Sequence, residues 1–156
     1  MKKQQTYQEL LKLMAAVLSD TEYEISLMAN FVALIHQMLE DISWTGIYLN
    51  HEGKLVLGPF QGKVACTVIP FNRGVCGACA SLRKTIVVPN VHQFPGHIAC
   101  DGASNSEIVV PIIIDNELFG VLDLDSYSVN RFDETDQNYL EGLVDILIQT
   151  LKRNKG

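Results

Sequence analysis

One cysteine and three acids are the residues best suited to do chemistry in this sequence. Cys100 lies in the run Gly96-His97-Ile98-Ala99-Cys100-Asp101-Gly102-Ala103-Ser104-Asn105-Ser106-Glu107. This is a turn-prone stretch of small residues, in which glycine supplies free backbone dihedrals and Ser and Asn bond their own main chain. Structural cysteines belong to apolar periodic segments. A cysteine flanked by His97, Asp101 and polar residues reads instead as a reactive thiol, with inert packing as the alternative.

The acids are Glu107, Asp123 and Asp125. Asp123 and Asp125 are two apart in a strand-like run, so both point to one face while Leu122 and Leu124 point to the other. Carboxylates in an otherwise apolar strand are costly unless something uses them. Whether Glu107 joins them depends on the hairpin between residues 107–114 and 118–125. A three-residue loop, Asp115 to Glu117, sets Glu107 opposite Asp125, whereas a two-residue Asp115-Asn116 turn sets it opposite Leu124 and facing away. Crowded, desolvated carboxyls raise one another's pKa, so one can stay protonated and donate a proton near neutrality. The plainer alternative puts them in solvent on an uncovered sheet face.

The other cysteines fall at 66, 76 and 79, and Cys76-Gly77-Ala78-Cys79 has the spacing of a redox dithiol or half a metal site. One reading makes Cys100 a nucleophile with a second cysteine as resolver. Another makes Cys76, Cys79, His97 and Cys100 a zinc site, although a domain with ample core needs no metal to fold. Trp44 and Tyr48, four apart on a strand, share a face and can wall a small apolar pocket.

The positioning elements follow from hydrophobic period. Residues 6–19 and 21–39 carry apolar positions at helical spacing, with Thr21 and Glu24 as a capping box for the second helix. Strands are expected at 43–49, 54–58, 63–69, 85–88, 107–114 and 118–125, a short helix at 75–83, and a long structureless loop from 89 to 106. A last helix runs from 133 to 152, capped by Asp133 with Asp136 at the box position. Helices, then strands, then a helix imply an α+β fold: an antiparallel sheet with helices packed on one face.

With 156 residues and 47% hydrophobic content, residues 1–156 are expected to form one domain. A net charge of -6 argues against nucleic acid and anionic membrane as partners. No apolar run is long enough to span a bilayer, and residues 1–7 lack the pattern of a secretory signal, so the four cysteines are expected to be cytoplasmic thiols.

Several motifs together resemble the free methionine-(R)-sulfoxide reductases. They are Gly58-Pro59-Phe60-Gln61-Gly62, Arg73-Gly74-Val75-Cys76-Gly77, Gly96-His97-Ile98-Ala99-Cys100-Asp101, Ser104-Asn105-Ser106-Glu107 and Gly120-Val121-Leu122-Asp123-Leu124-Asp125-Ser126. The likeness spans nearly the whole chain. It implies a GAF-like domain with about six antiparallel strands and N- and C-terminal helices on one side, commonly a homodimer. It further implies that Cys100 attacks the sulfur of free methionine sulfoxide and that Cys66 or Cys76 resolves the resulting sulfenic acid into a disulfide. Thioredoxin then reduces that disulfide, with no bound cofactor and no metal. By the same resemblance, Glu107, Asp123 and Asp125 bind and protonate the sulfoxide oxygen, and Trp44 and Tyr48 shape the side-chain pocket. Cys79 lies outside the family's required thiols. A ligand- or redox-sensing GAF module without turnover is the rival, disfavoured by the lack of an output domain in the sequence.

Overall fold

The computed structural model describes residues 2–20, 22–96 and 103–155. Cys100, His97, Asp101 and Thr21 lie outside the described residues. Two helices open the chain, α1 (Lys2–Val17) and α2 (Glu24–Met38), followed by strands β1 (Trp44–His51), β2 (Lys54–Gln61) and β3 (Val68–Pro70). Helix α3 (Gly74–Leu82) and β4 (Ile86–Val88) lead to the hairpin β5 (Ser106–Ile114) and β6 (Glu117–Ser126), and α4 (Glu134–Lys155) closes the order.

The strands form one antiparallel sheet in the order β3-β2-β1-β6-β5-β4. Its alternation is the source of the two layers. Ile47, Ile108, Val110, Ile112, Leu122 and Leu124 point to one face and pack on the apolar stripes of α1, α2 and α4. Trp44, Tyr48, Leu55, Val109 and Val121 point to the other, where α3 and its flanking segments cover them. The terminal helices therefore share one face, as the sequence implies, while α3 makes a second, smaller layer over the face that carries the acids.

Local chemistry accounts for the element ends. Asp133 and Asp136 form the expected box at the start of α4, each side chain accepting from the other's amide at 3.2 and 2.9 Å. Asp136 is fully buried, and also accepts from the Tyr7 hydroxyl at 2.6 Å, from Lys3 Nζ at 2.8 Å and from Arg131 at 3.1 Å. This ties α1 to the last helix.

Three expectations need correction. Helix α2 begins at Glu24 with Tyr23 as N-cap and no side-chain cap, so Glu24 cannot be the third residue of a box opened by Thr21. The third strand spans Val68–Pro70 rather than 63–69, because the carbonyls of Lys63 and Cys66 are taken by aromatic side chains instead of a strand partner. The connection after β4 contains a 3-10 turn at Val91–Gln93, started by the Asn90 side chain accepting from the His92 amide at 3.0 Å.

Candidate active site

The site is built on the α3-covered face, and its construction turns on a hairpin irregularity. The β5–β6 connection is the two-residue Asp115-Asn116 turn, with both residues at positive φ (51° and 66°) and Ile114 paired to Glu117. Taken alone, that turn would send Glu107 to the far face. The register slips by one residue between Ile112 and Ile113, where Ile113 pairs with Leu118 but Ile112 pairs with Gly120. This β-bulge restores the pairing of Glu107 with Asp125 and of Val109 with Asp123. All three acids then share one face. Gly120 beside the bulge permits the approach to β1, since a Cβ there would lie 2.2 Å from the Tyr48 carbonyl oxygen.

The acids are buried rather than solvated. Glu107 is 7% exposed and Asp123 5%, with Asp125 half-buried. Cys76, on the first turns of α3, comes down onto them, and ligand atoms of Cys76, Glu107 and Asp123 lie within 4.8 Å of one another. Burial first, then the charges of Asp123 and Asp125 and hydrogen bonds to both, push the Glu107 carboxyl well above the usual range. Burial also raises Asp123, partly offset by hydrogen bonds it accepts from Glu107 and Cys76. Asp123 Oδ1 is buried and has no hydrogen-bond partner among the described residues. The set could hold a cation. In its protonated form it can donate a hydrogen bond or a proton.

Burial, followed by the charges of Asp123, Glu107 and Asp125, raises the Cys76 thiol well above its ordinary value. Burial and Asp123 raise Cys79 likewise. Both are buried free thiols. Cys66 differs, for it is disulfide-bonded. The zinc reading joins Cys76 and Cys79 with two residues that lie outside the described ones. Cys79 is 0% exposed.

An aromatic wall completes the arrangement. Trp44 pairs with Asp125 and Gly46 with Asp123, which puts the β1 face beside the acids. The Trp44 ring stacks on Phe60 at 5.3 Å and on Tyr48 at 5.9 Å. Gly46 makes this possible, because a Cβ there would fall 2.3 Å from the Trp44 ring and 2.7 Å from Phe60 Cβ. Burial, then the charge of Asp123, raises the Tyr48 phenol, which donates to the Cys66 carbonyl at 2.9 Å and stays neutral.

Trp44, Tyr48, Cys76, Glu107, Asp123 and Asp125 are thus brought to one face. Phe60 and Gly46 are not singled out by sequence reasoning, although Gly46 sits between Trp44 and Tyr48 in the period-2 pattern that places those two.

Fold and site together define a sheet domain with a cluster of acids beside an aromatic wall on one face, and the GAF domain family model matches residues 5–151. The free methionine-R-sulfoxide reductase of Escherichia coli is 44% identical over 144 residues, covering 92% of this chain and 87% of the relative. The structure of the Neisseria meningitidis free methionine-R-sulfoxide reductase in complex with its substrate superposes with a TM-score of 0.95 at 41% identity, covering 98% of this chain and 92% of that one. The reduced form of the Staphylococcus aureus fRMsr gives 0.90 at 47% identity, covering 93% and 94%. This chain belongs to the free methionine-R-sulfoxide reductase family of GAF domains.

Proposed function

We propose that this protein reduces free methionine (R)-sulfoxide to methionine. The observation that carries the reading is the bulge-enforced convergence of Glu107, Asp123 and Asp125 in a buried, proton-holding cluster beside the Trp44–Tyr48 wall. A sulfoxide sulfur is a weak electrophile until its oxygen is protonated or strongly hydrogen-bonded. Glu107 supplies that proton, Asp123 and Asp125 hold the polar end of the substrate, and the aromatic wall receives its methyl and thioether carbons.

Cys100 is the nucleophile in this account. Its thiolate takes the oxygen from the substrate, becoming a sulfenic acid as methionine leaves. Cys66 then closes a disulfide with it, and thioredoxin returns both sulfurs to thiols. The bonded state of Cys66, beside free and strongly protonated Cys76 and Cys79, supports Cys66 as the first resolver. Cys76 instead donates to Asp123 and keeps the proton network filled, with a later resolving role open to it once the cluster ionises. The reading further holds that residues 1–156 act as one catalytic GAF domain without bound cofactor, as a cytoplasmic homodimer.

The test is thioredoxin-coupled loss of free methionine sulfoxide, supplied as separate R and S epimers. The expected result is turnover of the R epimer alone. Tight ligand binding with no turnover of either epimer would support a sensory module instead.

A further inference from the structure

The segment between β2 and β3 carries the disulfide-bonded Cys66 and runs outside the regular strands. Residues 61–64 are exposed, Ala65 and Cys66 half-buried, and one main-chain bond, Leu57 N–H to the Thr67 carbonyl at 2.9 Å, ties its far end to the sheet. Two side chains of the pocket wall grip it from inside. Trp44 Nε1 donates to the Lys63 carbonyl at 3.0 Å, and the Tyr48 hydroxyl donates to the Cys66 carbonyl at 2.9 Å. The Trp44 ring also lies against Gly62, where φ is +131° and a Cβ would come within 2.6 Å of Trp44 Cδ1. Both donors stand on β1, which is fixed between β2 and β6.

We infer that Trp44 and Tyr48, besides walling the pocket, are positioning residues for the resolving thiol, holding residues 63–66 so that Cys66 meets the sulfenic acid formed on Cys100. The inference rests on the proposed function. In the step they serve, the Cys66 thiolate attacks the sulfenic sulfur, an S–S bond forms and the S–O bond breaks. The departing hydroxide takes the proton released by Cys66 and leaves as water. No outside electrons enter, because the two-electron oxidation was completed when methionine left. Thioredoxin acts only afterwards.

Losing one such hydrogen bond lowers the held population of the segment by about two- to tenfold. Reduced protein is mixed with one equivalent of free methionine (R)-sulfoxide and a sulfenic-acid-trapping dione, without thioredoxin, and the trapped and disulfide forms are quantified by mass spectrometry. Tyr48→Phe keeps the ring and loses the donor, and Trp44→Phe tests the second bond. Each is expected to raise the trapped-to-disulfide ratio about two- to tenfold. That ratio compares two fates of one intermediate, so weaker substrate binding alone does not move it. A small monothiol, which can resolve the sulfenic acid in place of Cys66, should narrow the turnover gap between Tyr48→Phe and wild type. An unchanged ratio in both variants, with methionine still formed, overturns this inference alone. Absence of methionine from the wild type removes the functional reading and this inference with it.

Discussion

Replacing Glu107 by Gln should weaken catalysis and stabilise the fold at once. The side chain is buried and its carboxyl is raised well above the ordinary 4.5, by burial first and then by Asp123 and Asp125. At acid pH both the folded and unfolded chains hold the proton, so the group costs nothing. As pH rises through 4.5 the unfolded chain releases a proton that the folded chain keeps, and stability falls until the folded carboxyl ionises. Asp123 adds to the same slope, since burial raises it too. Gln is neutral at every pH, and its amide can donate permanently to Asp123 and Asp125 where the carboxyl donated one proton. Relieving a buried group of that kind is worth about 1–3 kcal/mol, or roughly 2–12 °C in Tm for a domain of this size. Burial depresses His36, which adds an opposite slope as pH falls through about 6.5, but wild type and variant share it and it cancels. The assay is Tm from pH 5 to pH 8 for both proteins, beside R-epimer turnover. Glu107→Gln should gain on wild type as pH rises while its turnover drops by about two to four decades, the usual worth of a general acid. A variant less stable than wild type at pH 8, or one within tenfold of its turnover, refutes the reasoning.

Other perturbations separate the parts of the account. Gly46→Ala forces a methyl against Trp44 and Phe60, so it should cost about 1–3 kcal/mol in urea unfolding and raise KM more than it lowers kcat. Asp136→Ala takes the buried acceptor from Tyr7, one of two partners each from Lys3 and Arg131, and the α4 box, an expected loss of about 2–4 kcal/mol by thermal melting at neutral pH. In wild type, hydrogen bonds from Lys3, Tyr7 and the Asp133 amide, with the Arg131 charge, outweigh burial and hold the Asp136 carboxyl below its ordinary 3.8. That part of the stability is present above pH 3.8 and lost on acidification below it, which acid titration of Tm in wild type and Asp136→Ala will check. Cys66→Ser should release one equivalent of methionine yet stall under thioredoxin coupling, whereas Cys79→Ala should turn over within about twofold of wild type. A Cys66→Ser protein with full steady-state turnover would transfer the resolving role elsewhere.

Much of this architecture is legible in the amino-acid sequence. Strong periods mark α1, α2 and α4 and the hairpin strands, and the Asp133–Asp136 box is recognisable because capping is local chemistry. The start of α2 departs from the Thr21 box because tertiary packing of Leu27, Phe31 and Val32 decides where that helix begins, and Tyr23 caps it without a side-chain bond. Register is the harder matter. The Asp115-Asn116 turn is one of two readings, and by turn type alone it separates Glu107 from the aspartates. The bulge that reverses this sits at Leu118-Phe119-Gly120, and a bulge leaves little imprint beyond a glycine. The path of residues 63–66 is hidden for a related reason. Their alternation suits a strand, but their carbonyls answer to Trp44 and Tyr48, nearly twenty positions away.

Single-turnover chemistry on the reduced protein tests the central claim most directly. Wild type mixed with excess free methionine (R)-sulfoxide and no reductant should form one methionine per chain and one disulfide linking Cys66 to Cys100 by peptide mass mapping, and Cys100→Ser should form neither. Methionine formed by Cys100→Ser, or a wild-type disulfide that excludes Cys100, would contradict the account.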